Sequence, residues 1–511
     1  MLRRLLLAAA LLVAPSLAHA DWYEAGSEHF VVYSNDAPER VKEFTERLER
    51  FDRALRKITG TPDRPVSKMM RVTVFMVDDV GDIQKLAGDS SVAGFFQSRS
   101  SGPVAFVPRK SNSALDAQTI LMHEYGHSFM FSSWPDVVFP PWFVEGFAEF
   151  VGTASFRNDG SLVLGKNPEH RRWCVGLNNY LPADELVRLK HDKLDDRQTC
   201  VLYARGWLLT HYLLLGGHAK ELGAYLAAIN SGKSIEEATK VFGDLGSLDG
   251  KLTGYGKRAS LPSIMLTAAQ VPASEVTLRK VSAGEAAIMP ARILSSRGVD
   301  QKSAPRVAET ARRLAAPFPN DAAAQNELAE AEFDAKNYIA AEAAADRAIA
   351  ADPKSIHAML YKGMAQIELA KKKEGATAAD WKQARGWFLT ANKLDTEYPE
   401  PLIQFYESFK AAKQKPSESA EKGLLYAYAL APFDNGLRLQ AGRLLLEQGK
   451  LKAARVAYEP VAYGPHSGGA GDTAKKVLDA LDSSGTEAAI KVLGDAEAKQ
   501  KEEAEKKKKD V

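Results

Sequence analysis

The 511-residue sequence predicts an α+β domain followed by an all-α solenoid of helical hairpins. Two observations carry that expectation. Short β-rich runs precede amphipathic helical segments through the first third of the chain, which is the layout of an α+β fold. From about Pro319 the chain turns rich in Ala, Leu, Glu and Lys, with aromatics at helical spacing and prolines recurring at a near-constant step.

Composition sets the outer limits. At 45% hydrophobic and 26% charged residues, the chain is an ordinary multidomain globular protein and not a fibrous or disordered one. Its formal net charge is only +2, and no basic stripe carries interleaved aromatics, so nucleic acid is not an expected partner.

Residues 1–20 read as a cleaved signal peptide. MLRR is the basic start, LLLAAALLVA the apolar core, and Pro15 precedes the small-residue site Ala18-His19-Ala20. A mature chain beginning at Asp21 is expected in the periplasm or outside the cell. No later run approaches the roughly 18 apolar residues of a membrane span. Cys174 and Cys200 are the two cysteines, and in an oxidising compartment they are expected to form one disulfide; the alternative is two buried thiols.

The elements follow in order. EHFVVYSN (28–35) predicts a strand, and Val41, Phe44, Leu48, Phe51, Leu55 and Ile58 recur at three- and four-residue steps along a helix over 37–58. RVTVFMV (71–77) is a second strand, followed by a short helix at 83–87. VAGFFQSRSSGPVAFVP (92–108) reads as a hairpin turning at Ser100–Gly102. Its second arm, GPVAFVPRK, is expected to be an edge strand available for pairing with substrate. A helix carrying HEYGH comes next.

In the second half, Pro319, Pro353, Pro399 and Pro432 lie 34, 46 and 33 residues apart, and the long step contains KKKEGATAADWK (371–382) as its surplus. A period near 34 is that of the tetratricopeptide repeat. Leu328, Ala329, Ala341 and Ala348 occupy its positions before Pro353, as do Gly442, Leu445, Ala454 and Tyr458 after Pro432. Small residues belong where paired helices cross closely, and large ones fill the gaps between them. A concave groove on such repeats is expected to take a protein or peptide partner. EVTLRKV (275–281) has strand character, SGGAGD (467–472) marks a break, and the tail EAKQKEEAEKKKKDV is a solvated charge run.

Chemistry concentrates in ILMHEYGHSFMF (120–131) and WFVEGFAEF (142–150). Residues four apart share a helical face, so His123 and His127 can reach one ion, with Glu124 beside them as a proton acceptor. By itself this spacing also suits a core helix. A catalytic zinc needs a third protein ligand, and Glu145 follows after a turn at WPDVVFPPW. Glu149, one turn further on, is placed to accept a hydrogen bond from a ligand histidine. Trp142, Phe143, Phe147 and Phe150 surround both acids with apolar bulk, which argues that they are buried and need partners.

HEYGH followed by WFVEGFAEF resembles the gluzincin, or peptidase MA-like, metallopeptidases, whose aminopeptidase N type carries HExxH and then WLNEGFA. The resemblance covers roughly residues 28–260. It implies a zincin-like α+β metallopeptidase domain with one zinc per chain on His123, His127 and Glu145, and Glu124 as general base. YARGWLLTHYLLLGG (203–217) is similar to the family segment in which a tyrosine opens a long helix and donates to the oxyanion, which implies that role for Tyr203. His211, on the same helix, is expected to be a packed core residue. Two departures stand out. Seventeen residues separate His127 from Glu145 where the aminopeptidases usually have eighteen. No G-x-M-E-N stretch precedes the zinc helix, so the resemblance implies peptide hydrolysis without aminopeptidase specificity. A scaffold built on the same fold but without catalysis is the alternative.

The expected organisation is therefore a signal peptide at 1–20 and a metallopeptidase domain with its own core at 21–260. A connecting region at 261–318, repeats at 319–465, and terminal helices with a charged tail at 466–511 complete it.

Overall fold

The computed structural model describes residues 21–509 apart from 65, 91, 111–116, 178–179, 190–193 and 465–467. The expected signal peptide lies outside the described residues. Among these residues no helix is long and apolar enough to cross a membrane.

Six strands form the N-terminal sheet. β1 (Tyr23–Gly26) and β2 (Phe30–Ser34) lead into α1 (Pro38–Thr59), and β3 (Val72–Asp79) leads into α2 (Val80–Ala87). β4 (Phe95–Gln97) and β5 (Val104–Lys110) make the hairpin before α3 (Ala117–Ser133). α4 (Pro141–Gly152), β6 (Ser155–Phe156) and β7 (Leu162–Leu164) follow, and then α5 (Arg172–Val175), α6 (Ala183–Arg188) and α7 (Asp196–Leu215). α8 (Ala219–Asn230), α9 (Ile235–Ala238), α10 (Leu245–Gly256), β8 (Ile264–Leu266) and β9 (Thr277–Lys280) complete this half.

The sheet order is β4-β5-β3-β2-β1-β9, with β2–β3 and β3–β5 parallel and the other pairs antiparallel. Period-two alternation sends the strand residues to two cores. Phe30, Val32, Val74 and Val107 pack with α1 and α3, while Val31, Tyr33, Phe75 and Phe106 pack with α2 and with Val281 and Met289. Both faces are covered, which is why these strands read as near-continuous apolar runs.

Two expectations are corrected here. GPVAFVPRK is not the edge strand, because β5 pairs with β3 on one side and, through Val104–Phe106, with β4 on the other. On that side of the sheet, among the described residues, the edge is the three-residue β4. The boundary at 260 also moves. β8 pairs with β7 and β9 with β1, so residues beyond 260 belong to the N-terminal sheets. The region 261–318 is no connector either. α11 (Ala283–Arg297) seals the second face of the sheet with Met289 and turns Ile288 and Ala291 toward the next helices.

α11 opens a continuous stack of helical hairpins. α12 (Ala304–Ala315) completes the first pair, and α13 (Ala322–Asp334) with α14 (Tyr338–Ala351) makes the second. α15 (Ile356–Lys372) with α16 (Ala378–Leu394), and α17 (Pro399–Ala411) with α18 (Glu418–Leu430), follow. α19 (Asn435–Glu447) with α20 (Leu451–Tyr463), and α21 (Gly468–Ser484) with α22 (Thr486–Lys509), end it. The tail thus continues a helix to Lys509.

The surplus at 371–382 becomes extra helix as well as loop. α15 and α16 each run 17 residues against 13 and 14 in the preceding pair. Ala329, Ala341, Ala348 and Ala454 are fully buried at the crossings. A side chain on Gly442 would come within 2.5 Å of the Tyr458 ring, so the small–large pairing is steric.

Because β9 and α11 close the sheet, the fragment 21–260 should aggregate instead of folding, since it leaves an edge and an apolar sheet face open. Soluble expression and far-UV circular dichroism of that fragment check this; a soluble, folded product would restore the boundary at 260.

Candidate metal centre

Three helices bring the chemistry together, and glycines set how closely. A Cβ on Gly126 of α3 would meet Val151 at 2.9 Å and the Ala148 backbone at 3.3 Å, both on α4. One on Gly146 of α4 would fall 2.2 Å from the Gly206 carbonyl of α7. α4 is therefore wedged between α3 and α7, and all twelve of its residues are buried. The rotation of α3 is fixed from its far side. Tyr125, between the two histidines of HEYGH, donates to Asp52 of α1 at 2.6 Å and packs on Phe30 and Phe51.

On the near side, the Nε2 atoms of His123 and His127 stand 3.1 Å apart. Each lies 3.5 Å from Glu145 Oε2. Ligands at zinc–nitrogen distances of about 2.0–2.1 Å in tetrahedral array are about 3.3 Å from one another. The three atoms thus form a face of the size a tetrahedral zinc requires, and the donor set of two imidazoles and a carboxylate suits that ion.

The electrostatics suit a cation too. Burial by itself would depress the His123 imidazolium. Contact with Glu145 and the charges of Glu149 and Glu124 outweigh it and hold the pKa up at about 9.

Glu124 is half-buried and lines a cleft of about 610 Å³ with Gly94, Ile120, His123, Arg171 and Tyr203. The Tyr203 ring stacks on His123 with centroids 5.7 Å apart. Burial and the neighbouring carboxylates of Glu145 and Glu124 raise its pKa, so the phenol keeps its proton. Its position on the helix differs from expectation. A capping box between Asp195 and Gln198 starts α7 at Asp196, which puts Tyr203 two turns inside the helix and not at its opening.

Glu149 also departs from the expected role. Its Oε1 lies 3.7 Å from His123 Nδ1, an ion-pair distance beyond hydrogen-bond reach. Its close partners are His170 Nε2 at 3.0 Å and Arg171 Nε at 2.9 Å. Burial raises the carboxyl, but the His170 hydrogen bond and the His123 and Arg171 charges bring it down to about 2.

Sequence reasoning missed His170 and Arg171. Their one signal was the basic run EHRRW beside Cys174, in a segment without periodicity. Arg171 also covers the Tyr203 ring at 4.6 Å. Cys174 and Cys200 are bonded, their Cα atoms 5.8 Å apart, and fasten this segment to α7. His211 is packed as expected, its ring nitrogens on Tyr255 Oη, Gly165 O and Pro262 O.

No protein-family model and no curated protein matches the sequence. Solved structures give matches of low similarity. A thermophilic TPR protein of Thermus thermophilus aligns at 18% identity over 38% of this chain and 99% of that one, with a TM-score of 0.33. PilF of Pseudomonas aeruginosa aligns at 18% over 41% and 88%, with a TM-score of 0.32. MamA from Desulfovibrio magneticus RS-1 aligns at 15% over 34% and 90%, with a TM-score of 0.26. The stacked helical hairpins themselves make the C-terminal half a tetratricopeptide-like repeat region.

Replacing Glu149 by Leu leaves His123, His170 and Arg171 without their shared counter-charge. A loss of about 3 kcal/mol in urea unfolding is expected, the lower end for breaking a buried pair because Arg171 is partly exposed. An unchanged midpoint would show that the carboxylate is not the structural hub of this wall.

Proposed function

We propose that this protein is an exported zinc-dependent peptidase of gluzincin type, with His123, His127 and Glu145 holding the ion. The observation that carries the reading is the three-atom ligand face, bordered in one cleft by a half-buried carboxylate and a protonated phenol. A bound zinc supplies Lewis acidity, polarising a carbonyl and acidifying water at neutral pH.

The chain's own groups do the rest. Glu124 accepts a proton from the attacking water and returns it to the leaving amine. Tyr203 donates to the carbonyl oxygen as charge develops there. Glu149, held by His170 and Arg171, orients His123 through charge. The Cys174–Cys200 bond supports an oxidising compartment, periplasmic or extracellular. The substrate is a peptide or a protein.

A second reading is a non-catalytic interaction scaffold of the cell envelope, supported by the stack of helical hairpins itself, an architecture that offers extended surfaces to a protein partner.

Metal analysis tests the site, and turnover with Glu124 replaced decides between the two readings. Metal analysis should find one zinc per chain, lost in His123→Ala and Glu145→Ala. Glu124→Gln should keep the metal and cleave a peptide library about a hundredfold more slowly. Full activity in that variant would remove the mechanism, and a zinc-free wild type would remove the site.

Tyr203→Phe deletes the donor and keeps the ring. Turnover should drop by about 10²–10³ with little change in KM, the pattern of a bond made in the transition state. Near-normal turnover would return Tyr203 to packing alone.

A further inference from the structure

The inner face of the repeats is not empty. The turn of the β4–β5 hairpin, Arg99–Gly102, is held against the first helices of successive repeat pairs. The Ser100 amide donates to Asp434 Oδ2 at 2.8 Å, at the start of α19. The Tyr398 hydroxyl, at the start of α17 and 3% exposed, donates to the Ser101 carbonyl at 3.2 Å. Arg99 donates to the Ser296 carbonyl of α11 at 2.9 Å and lies in the field of Glu330 on α13 and Glu400 on α17. Gln97, the last residue of β4, donates to Arg297 O at 2.9 Å.

The supports below the turn are equally specific. Gly102 has φ of +115°, and a Cβ there would meet the Met69 carbonyl at 2.8 Å. Met70 lies in the core of the central repeats beside Leu360, and Ser67 donates to Asp395 at 2.6 Å.

The other end of the same short strand borders the cleft. Val92, Ala93 and Gly94 line it, and a Cβ on Gly94 would stand 3.0 Å from Ile120, one turn before His123 and Glu124 on α3. Among the described residues β4 is paired only with β5, so its second edge carries the backbone groups that an extended peptide in the cleft would meet. A three-residue strand with one partner has little stiffness of its own. Its position is set by what grips its two ends, α3 on one side and the repeats on the other.

We propose that the repeat solenoid holds the β4–β5 turn as an internal ligand and so fixes the edge strand against which substrate is aligned. Asp434 and Tyr398 are positioning residues for that strand. The second clause rests on the hydrolase reading above; the first stands without it. The groove that such repeats would offer a foreign peptide is, over α17 and α19, filled by the chain itself.

The test is the double variant Asp434→Asn, Tyr398→Phe in the full mature chain. Asn keeps an oxygen to cap α19, where Asp434 Oδ1 now accepts from Leu437 N, and Phe keeps the buried ring, so folding should survive by circular dichroism. Hydrogen exchange at Ser100 and its neighbours should accelerate at least about tenfold as the turn opens locally. With a fluorescence-quenched decapeptide, KM should rise about tenfold while kcat stays nearly constant, because strand pairing binds ground state and transition state alike.

Unchanged exchange at 97–101 overturns the clamp. Faster exchange with an unchanged KM overturns the positioning role. A wild type that cleaves nothing removes the hydrolase reading alone, and the exchange measurement still decides whether the repeats grip the turn.

Discussion

The contact on which the candidate metal centre depends is the crossing of α4 with α3 and α7, where Gly126 sits against Val151 and Ala148 and Gly146 against the Gly206 backbone. Gly126 and Gly146 let three helices converge until residues from separate segments share one small volume. A methyl group at Gly146 would push α7 away and carry Tyr203 with it. It would also disturb α4, and with it Glu145 and Glu149, which are 1% and 2% exposed. Buried carboxylates are tolerated only with partners, so the same crossing that hides them obliges the chain to surround them with His123, His127, His170 and Arg171. Steric closeness and electrostatic need have one origin here.

Much of this was legible from the residues. The helix of residues 38–59 follows from periodicity, and the HEYGH and WFVEGFAEF helices, with Glu145 set beside the two histidines, follow from their motifs. The repeats follow from proline spacing and small-residue phasing, signals that are local and recur. What escaped notice is non-local. Strands β8 and β9 are three and four residues long, and their partners lie about a hundred and two hundred and fifty positions earlier. Nothing in EVTLRKV says that it joins a sheet begun at Tyr23. Glu49 and Asp52 lie buried on the apolar side of α1 because His29, Arg56 and Tyr125 meet them there, a fact that helix periodicity cannot contain. His170 and Arg171 were hidden for the same reason.

α11 shows why drawing two domains from composition fails. One of its faces completes the core of the sheet and the other begins the core of the solenoid, so the helix has no single owner. Arg292 crosses that seam, stacking 4.3 Å over Tyr33 and pairing with Glu285 and Glu327. Cooperative unfolding of the two halves is the expected consequence of that shared core.

The pairing of β1 with β9 also governs the order in which the molecule can be made. Tyr23 faces Lys280, so β1 waits for β9, the last strand of its half among the described residues. Until β9 and α11 are in place, the sheet lacks its far edge and the part of the cover over Phe75 and Phe106 that Val281 and Met289 supply. Closing so long a loop costs entropy that grows only slowly with length, but the search is slow, and the exposed face is adhesive throughout. The interval before β9 and α11 are in place is where this architecture is exposed to aggregation.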